Sequence, residues 1–194
     1  CLTLQLKPGD HVLEIGSGWG GFAIYAAQEY GCKITTTTVS DKQYAFVKDK
    51  IKQLGLENQI ELLNLDYRNL SGQYDKVVSI EMIEAVGHKF FELFFLKCNQ
   101  LVKPGGLFFL QAIVINDQAY EAAKNEVDFI KKYIFPGGCL PSVCSISKSI
   151  ATQSKMQLIS FEDVGKHYVN TLNDWHHKLL TNKPEILDQG FTEN

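Results

Sequence analysis

The shortages in this chain are its first guide. Positive charge is not in excess: Lys and Arg number 19 against 22 Asp and Glu, for a net charge of −3 and a pI near 6.0. A chain without a basic stripe is poorly suited to nucleic acid as its main partner, because contacts to phosphate supply most of that affinity. No apolar run approaches the roughly 20 residues of a membrane span, and the first residues lack the pattern of a secretory signal. The expected location is the cytoplasm. Cysteine is present without a useful pattern: Cys1, Cys32, Cys98, Cys139 and Cys144 are odd in number and hold no C-x-x-C pair, which argues against a disulfide framework and against a metal site. Repeats, linkers and low-complexity tracts are lacking too. What remains is 194 residues, 45% hydrophobic and 21% charged, enough for one globular domain with a sizeable core. The start on Cys1 in place of Met, ten residues ahead of the first strand, predicts a piece of a longer chain.

What the chain does have is Val12-Leu13-Glu14-Ile15-Gly16-Ser17-Gly18-Trp19-Gly20-Gly21-Phe22-Ala23: an apolar run carrying an acid, four glycines in six residues, then a helix-forming sequence. It reads as strand, tight loop and helix. Glycine is required where φ must be positive or where a ligand lies on bare backbone, and the helix that follows offers unpaired N–H groups in its first turn. The spacing Gly16-x-Gly18-x-x-Gly21 satisfies the dinucleotide fingerprint, so a nicotinamide enzyme has to be weighed. Glu14 and Gly20 pull away from it. A carboxylate at the strand end would repel a pyrophosphate, but it suits the ammonium and sulfonium of S-adenosylmethionine (SAM), which carries no phosphate. A turn that merely needed glycines would not need the acid.

Strands are expected at 11–15, 33–39, 59–65, 75–80 and 107–115, with helices at 22–30, 41–54 and 88–102 between them. Ser40 caps the second helix, and Gly31 and Gly55 stop the first two. This rhythm predicts an α/β fold with a doubly wound, Rossmann-like parallel sheet and its ligand at the carboxyl ends of the strands. After residue 116 the rhythm breaks into a helix at 118–134, a rigid loop at 135–142, a helix at 146–154, a strand at 156–163 and a helix at 172–180. Nothing beyond Leu187 has the alternation of a further strand. The expectation is one domain over 1–194, with 117–155 and 164–194 inserted on the substrate side.

Several side chains fall at the carboxyl ends of these strands. Thr38, Val39 and Ser40, with Gln43 in the next turn, stand where such folds often place an acid on the ribose; hydroxyl and amide groups can share hydrogen bonds with that diol. Asp66 followed by Tyr67 suits adenine, the carboxylate accepting from the exocyclic amine and the ring stacking. Gln111 is the polar interruption of an apolar strand, and a buried glutamine needs partners. His176 and His177 diverge on a helix and read as solvated, as does the pair Lys131 and Lys132.

Together these stretches resemble the cyclopropane fatty acid synthases. The resemblance rests on Leu13-Glu14-Ile15-Gly16-Ser17-Gly18-Trp19-Gly20-Gly21, Thr38-Val39-Ser40 with Gln43, Asp66-Tyr67-Arg68, Glu81-Met82-Ile83-Glu84, Tyr133-Ile134-Phe135-Pro136-Gly137-Gly138-Cys139-Leu140-Pro141-Ser142, and Tyr168 with Trp175. It covers nearly the whole chain, and the Pro-Gly-Gly loop is its most specific part. It implies a class I methyltransferase sheet lacking its final strand here, with SAM as cofactor, and transfer of a methylene carbon to the double bond of an unsaturated acyl chain in a membrane phospholipid. It further implies peripheral contact at the inner face of the membrane and leaves room for a homodimer of the longer protein. Glu84, Gln111, Ile113 and Tyr168 would surround a bicarbonate ion that accepts the proton, Ile113 through its backbone. Ala85 and Gln111 stand where the common bacterial pattern has histidine, as in a plant-like subgroup. Family members also use a cysteine upstream and residues downstream of this stretch, so the piece is expected to bind cofactor and turn over poorly. Two rival readings are an amine N-methyltransferase on the same scaffold, which favours a histidine such as His88 shortly after the glutamate, and a SAM-binding piece without turnover.

Overall fold

The structure, a computed structural model, describes residues 1–192. Its centre is β1 (His11–Ile15), whose Val12, Leu13 and Ile15 are fully buried on alternating faces. Around it lie β2 (Lys33–Thr38), β3 (Ile60–Asn64), β4 (Tyr74–Ile80) and β5 (Val102–Gln111), all parallel, in the order β3-β2-β1-β4-β5. The crossovers run through α1 (Gly21–Tyr30), α2 (Asp41–Gln53) and α3 (Phe91–Leu101). One face packs Val12, Ile34 and Val78 against Ala23, Ala26 and Ala27 of α1 and Val47 and Ile51 of α2. The other packs Leu13, Ile15 and Val77 against Phe91, Phe94, Phe95, Cys98 and Leu101 of α3. The strand order reverses between β1 and β4, the switch point at which such sheets open a crevice.

A buried strand of four threonines would be costly if its hydroxyls were idle. None is. Thr35 donates to Glu61 at 3.1 Å, Thr36 to Glu14 at 2.6 Å, Thr38 to Gln43 at 2.8 Å, and Thr37 to the carbonyl of Leu65. β-Branching favours the strand while the hydroxyls tie it to both neighbours and to α2.

Two expectations shift here. Lys103-Pro104-Gly105-Gly106 reads as a helix stop, and α3 does end at Leu101, but the strand expected from 107 already begins at Val102 and the stretch bulges within it: Tyr74 pairs with Val102, and Lys76 next with Leu107. At Gly106 a Cβ would lie 2.7 Å from the Asp75 carbonyl, so this crossing requires glycine. The helix expected at 118–134 is α4 (Asp117–Ala123), after which the Lys131 ammonium donates to the carbonyls of Ala123 and Glu126; a π-turn, Ile130–Ile134, follows. After it comes α5 (Val143–Gln153), capped by Ser142 and Ser145 in a reciprocal box.

The chain divides into two compact units, Cys1–Gln157 and a second beginning at Leu158. The strand expected at 156–163 is irregular: a strand needs a partner, and among the described residues no strand follows β5. The second unit holds a 3-10 turn, Gly165–His167, then α6 (Tyr168–Thr181) and α7 (Lys183–Asp188). Among the described residues no helix is long and apolar enough to cross a membrane.

Candidate functional site

A cleft of about 690 Å³ opens over the carboxyl ends of the strands in the first unit. Of the residues expected to meet a cofactor, Glu14, Gly16, Ser17, Gly18, Trp19, Thr38, Val39, Ser40, Gln43, Asp66 and Tyr67 line it. Gly20 does not; it is the N-cap of α1 and faces Ile24 and Val47. The cleft also takes in Arg68, Glu81, Met82 and Phe90, which the sequence reading did not single out for it. For Arg68, Glu81 and Met82 the available signal was position, since each follows a strand end already marked; Phe90, at the start of α3, had none.

Gly16 shows why the loop needs glycine. Its φ is +95°, and a Cβ would stand 3.0 Å from Cγ of Met82, so backbone rather than side chain floors this part of the cleft. Glu14 lies beneath with 3% of its surface exposed. Thr36 donates to its Oε2, but burial dominates and pushes the carboxyl up to about 8. Among the described residues no cation pairs with it. A buried acid beside a bare-backbone loop is suited to a cationic guest, which would draw it back into the ionised form.

At the second strand end Thr38, Ser40 and Gln43 form a closed set: Thr38 Oγ1 donates to Gln43 Oε1, the Ser40 amide donates to Thr38 Oγ1, and the Gln43 amide donates to Ser40 Oγ. Asp66 is gripped by Arg68, with Nε on Oδ1 at 2.9 Å and the guanidinium on Oδ2 at 2.7 Å, and this bond holds the carboxyl below its usual range. The Tyr67 ring is braced edge-on by Phe94 at 5.5 Å, and Trp19 stands at the rim against Phe46 at 5.3 Å.

The segment after β4 meets the cleft through Glu81, Met82, Ala85 and Val86, whereas Glu84, Gln111 and Ile113 are not among the residues that line it. Ile83–Ala85 is a single 3-10 turn whose Glu84 takes the Ile113 amide on Oε1 at 2.6 Å. Its Oε2 is buried without a hydrogen-bond partner, and burial raises the carboxyl above its usual value. The Phe135–Ser142 loop supports this turn from behind: Cys139 N–H donates to the Glu84 carbonyl at 2.8 Å, and a Cβ on Gly138 would press on the same oxygen at 3.4 Å. The Pro141 carbonyl in turn receives the Ile115 amide at 2.9 Å, tying the loop to the chain just past β5. Gln111, at the end of β5, donates its Nε2 to Glu81 Oε1 at 3.0 Å. The structure thus brings Glu84 and Ile113 into direct contact and joins Gln111 to Glu81; Tyr168 opens α6 in the second unit. The donors that the resemblance assigns to bicarbonate, the Ile113 amide and the Gln111 side chain, are both directed onto carboxylates.

A family model described as mycolic acid cyclopropane synthetase matches residues 1–194. The chain belongs to that family. Within it, the sequence is 36% identical over 188 residues to the tuberculostearic acid methyltransferase UfaA1 of Mycobacterium tuberculosis, covering 97% of this chain and 44% of that protein. It is 37% identical over 188 residues to the cyclopropane-fatty-acyl-phospholipid synthase of Escherichia coli K12, covering 97% of this chain and 47% of that one. The chain therefore spans somewhat under half the length of these curated relatives. Its fold superposes on the mycolic acid cyclopropane synthase CmaA1 complexed with SAH and CTAB, with a TM-score of 0.84 and 25% identity over 94% of this chain and 67% of that one.

Proposed function

We propose that the full protein of which this chain forms part transfers a carbon from SAM to the double bond of an unsaturated acyl chain in a membrane phospholipid, closing a cyclopropane ring. The observation that carries this is the presence of two acids in one fold: buried Glu14 under the glycine loop, and half-buried Glu84, whose Oε2 atom is buried without a hydrogen-bond partner, on a turn braced by the Pro-Gly-Gly loop. The family and the named substrates of the relatives supply the lipid.

SAM, when bound, supplies an electrophilic methyl on a sulfonium. Glu14 meets its cationic end, the Gly16–Trp19 backbone passes along it, Thr38, Ser40 and Gln43 take the ribose, and Asp66 and Tyr67 take the adenine. As the alkene attacks, positive charge moves onto the acyl chain, and ring closure then requires loss of one proton from the added carbon. Glu84 Oε2 is the atom suited to hold that proton: it is buried and unpartnered, and its raised affinity for a proton makes the ionised form a stronger acceptor. The Ile113 amide on Oε1 fixes the carboxylate and leaves Oε2 as the oxygen without a hydrogen-bond partner. Gln111 sits beside it through Glu81, and Tyr168 is assigned to the same site by the resemblance alone. Peripheral contact with the inner face of the membrane follows from the substrate.

The test is mass spectrometry of unsaturated phospholipid vesicles incubated with SAM and the full-length protein, with and without added bicarbonate. An acyl product one methylene heavier and lacking its double bond supports the proposal. In CO2-free buffers, equal rates in both arms support Glu84 as the proton acceptor, whereas a rate that rises with bicarbonate assigns that role to the ion. Unchanged lipid from a protein that binds SAM rejects the lipid reading.

A further inference from the structure

Glu81 opens the Glu81-Met82-Ile83-Glu84 stretch without an assigned role of its own, and its backbone is unusual. It stands just past β4 with φ +49°, in the left-handed region where a glutamate is uncommon; among the described residues just one other non-glycine, Gln5, has a positive φ. Glycine would adopt this conformation without strain, so stability is not what the side chain provides. Its bonds show what it provides instead. The Glu81 N–H donates to the Gln111 carbonyl at 2.9 Å, and the Glu81 carboxylate accepts Gln111 Nε2 at 3.0 Å. A carboxylate at neutral pH only accepts, so this bond decides the orientation of the Gln111 carboxamide: its NH2 faces Glu81 and its oxygen is turned away. Glu81 also lines the cleft beside Gly16 and Met82, and its charge is one of the causes that hold the Glu84 carboxyl high.

We infer that Glu81 is a positioning residue of this site: its left-handed backbone brings its carboxylate onto Gln111, fixes the carboxamide in one orientation, and makes the end of the cleft near Glu84 electronegative. That end then favours a sulfonium, and the positive charge that follows the methyl onto the substrate, over an anion. The inference rests on the reading of the site as one that alkylates an alkene from SAM. Glu81 forms and breaks no covalent bond in the reaction.

The test uses the full-length protein with Glu81→Gly and Glu81→Gln. Glu81→Gly is expected to keep or raise the melting temperature, to leave KM for SAM nearly unchanged and to lower kcat about tenfold or more. The acid limb of its kcat profile should move to lower pH, because Glu84 loses a negative neighbour. Glu81→Gln, which keeps a hydrogen-bonding group in place, should fall between the two. Parent-like kcat in Glu81→Gly overturns the inference, and so does a melting temperature that falls together with kcat. A readout apart from turnover is the Gln111 side-chain NH2 in an 15N-labelled sample, which should lose its exchange protection in Glu81→Gly. An unmoved Gln111 signal overturns the positioning role. A Gln111 that responds as expected in a protein inert toward unsaturated lipid overturns the proposed function and leaves the orientation of Gln111 established.

Discussion

Glu14 couples this fold to pH. Glu14 has an ordinary value of 4.5 and is pushed to about 8 by burial. Between those two pH values the unfolded chain has released the proton that the folded chain still holds. Folding stability therefore falls as pH rises through that window and levels off above it, by about 3 kcal/mol at pH 7. Glu14→Gln should flatten this slope and raise the neutral-pH melting temperature of the ligand-free protein while weakening SAM binding; melts at pH 5 to 8 check the first and equilibrium dialysis the second. A cationic guest over Glu14 should release a proton, so the binding enthalpy should vary with the ionisation enthalpy of the buffer. At the other acid, Glu84→Gln should abolish lipid turnover and leave SAM affinity close to the parent value, as read by turnover and dialysis on the same samples.

Among the elements, the Phe135–Ser142 loop and α5 act together. Ser142 caps α5 and exchanges bonds with Ser145, while Cys139 three residues earlier holds the Glu84 carbonyl. Ser142→Ala should cost ~1 kcal/mol in a urea melt, the usual worth of an N-cap. Because the loop braces the Glu84 turn, the same substitution should lower kcat more than it weakens SAM. The glycine loop behaves in the opposite way. Gly16→Ala places a Cβ against Met82 in a left-handed conformation, which costs ~1–2 kcal/mol from backbone strain alone. Its main effect should fall on SAM affinity, by about tenfold or more on titration, since the displaced segment lines the cleft.

For the molecule as a whole, the cleft exists because the strand order reverses between β1 and β4, with α1 and α2 on one face and α3 on the other. A ligand that binds only this folded arrangement stabilises it by mass action. SAM at about 100 times its dissociation constant should add ~2.7 kcal/mol and raise the melting temperature by several degrees. NAD, with a pyrophosphate over the buried Glu14, should not. Differential scanning fluorimetry with both ligands separates the two readings that the glycine spacing alone leaves open.

The five parallel strands, the caps at Ser40 and Gly31 and the residues of the glycine loop were legible in the sequence because each depends on local chemistry: apolar periodicity, a side-chain cap, a required positive φ. The family likewise was legible from short motifs. Tertiary structure alone decided the rest. That Lys103-Pro104-Gly105-Gly106, besides following the end of α3, bulges inside a strand depends on Asp75 and Tyr74 across the sheet, and whether the alternation at 156–163 forms a strand depends on a neighbour that the sequence does not name. At the site, the pattern offered Gln111 and Ile113 as donors but could not show that they point at Glu81 and Glu84, because hydrogen-bond partners thirty residues apart are chosen by where two strand ends meet. The same holds for the left-handed backbone of Glu81, whose N–H is bonded to the Gln111 carbonyl across the sheet: neither composition nor spacing marks a glutamate for that φ.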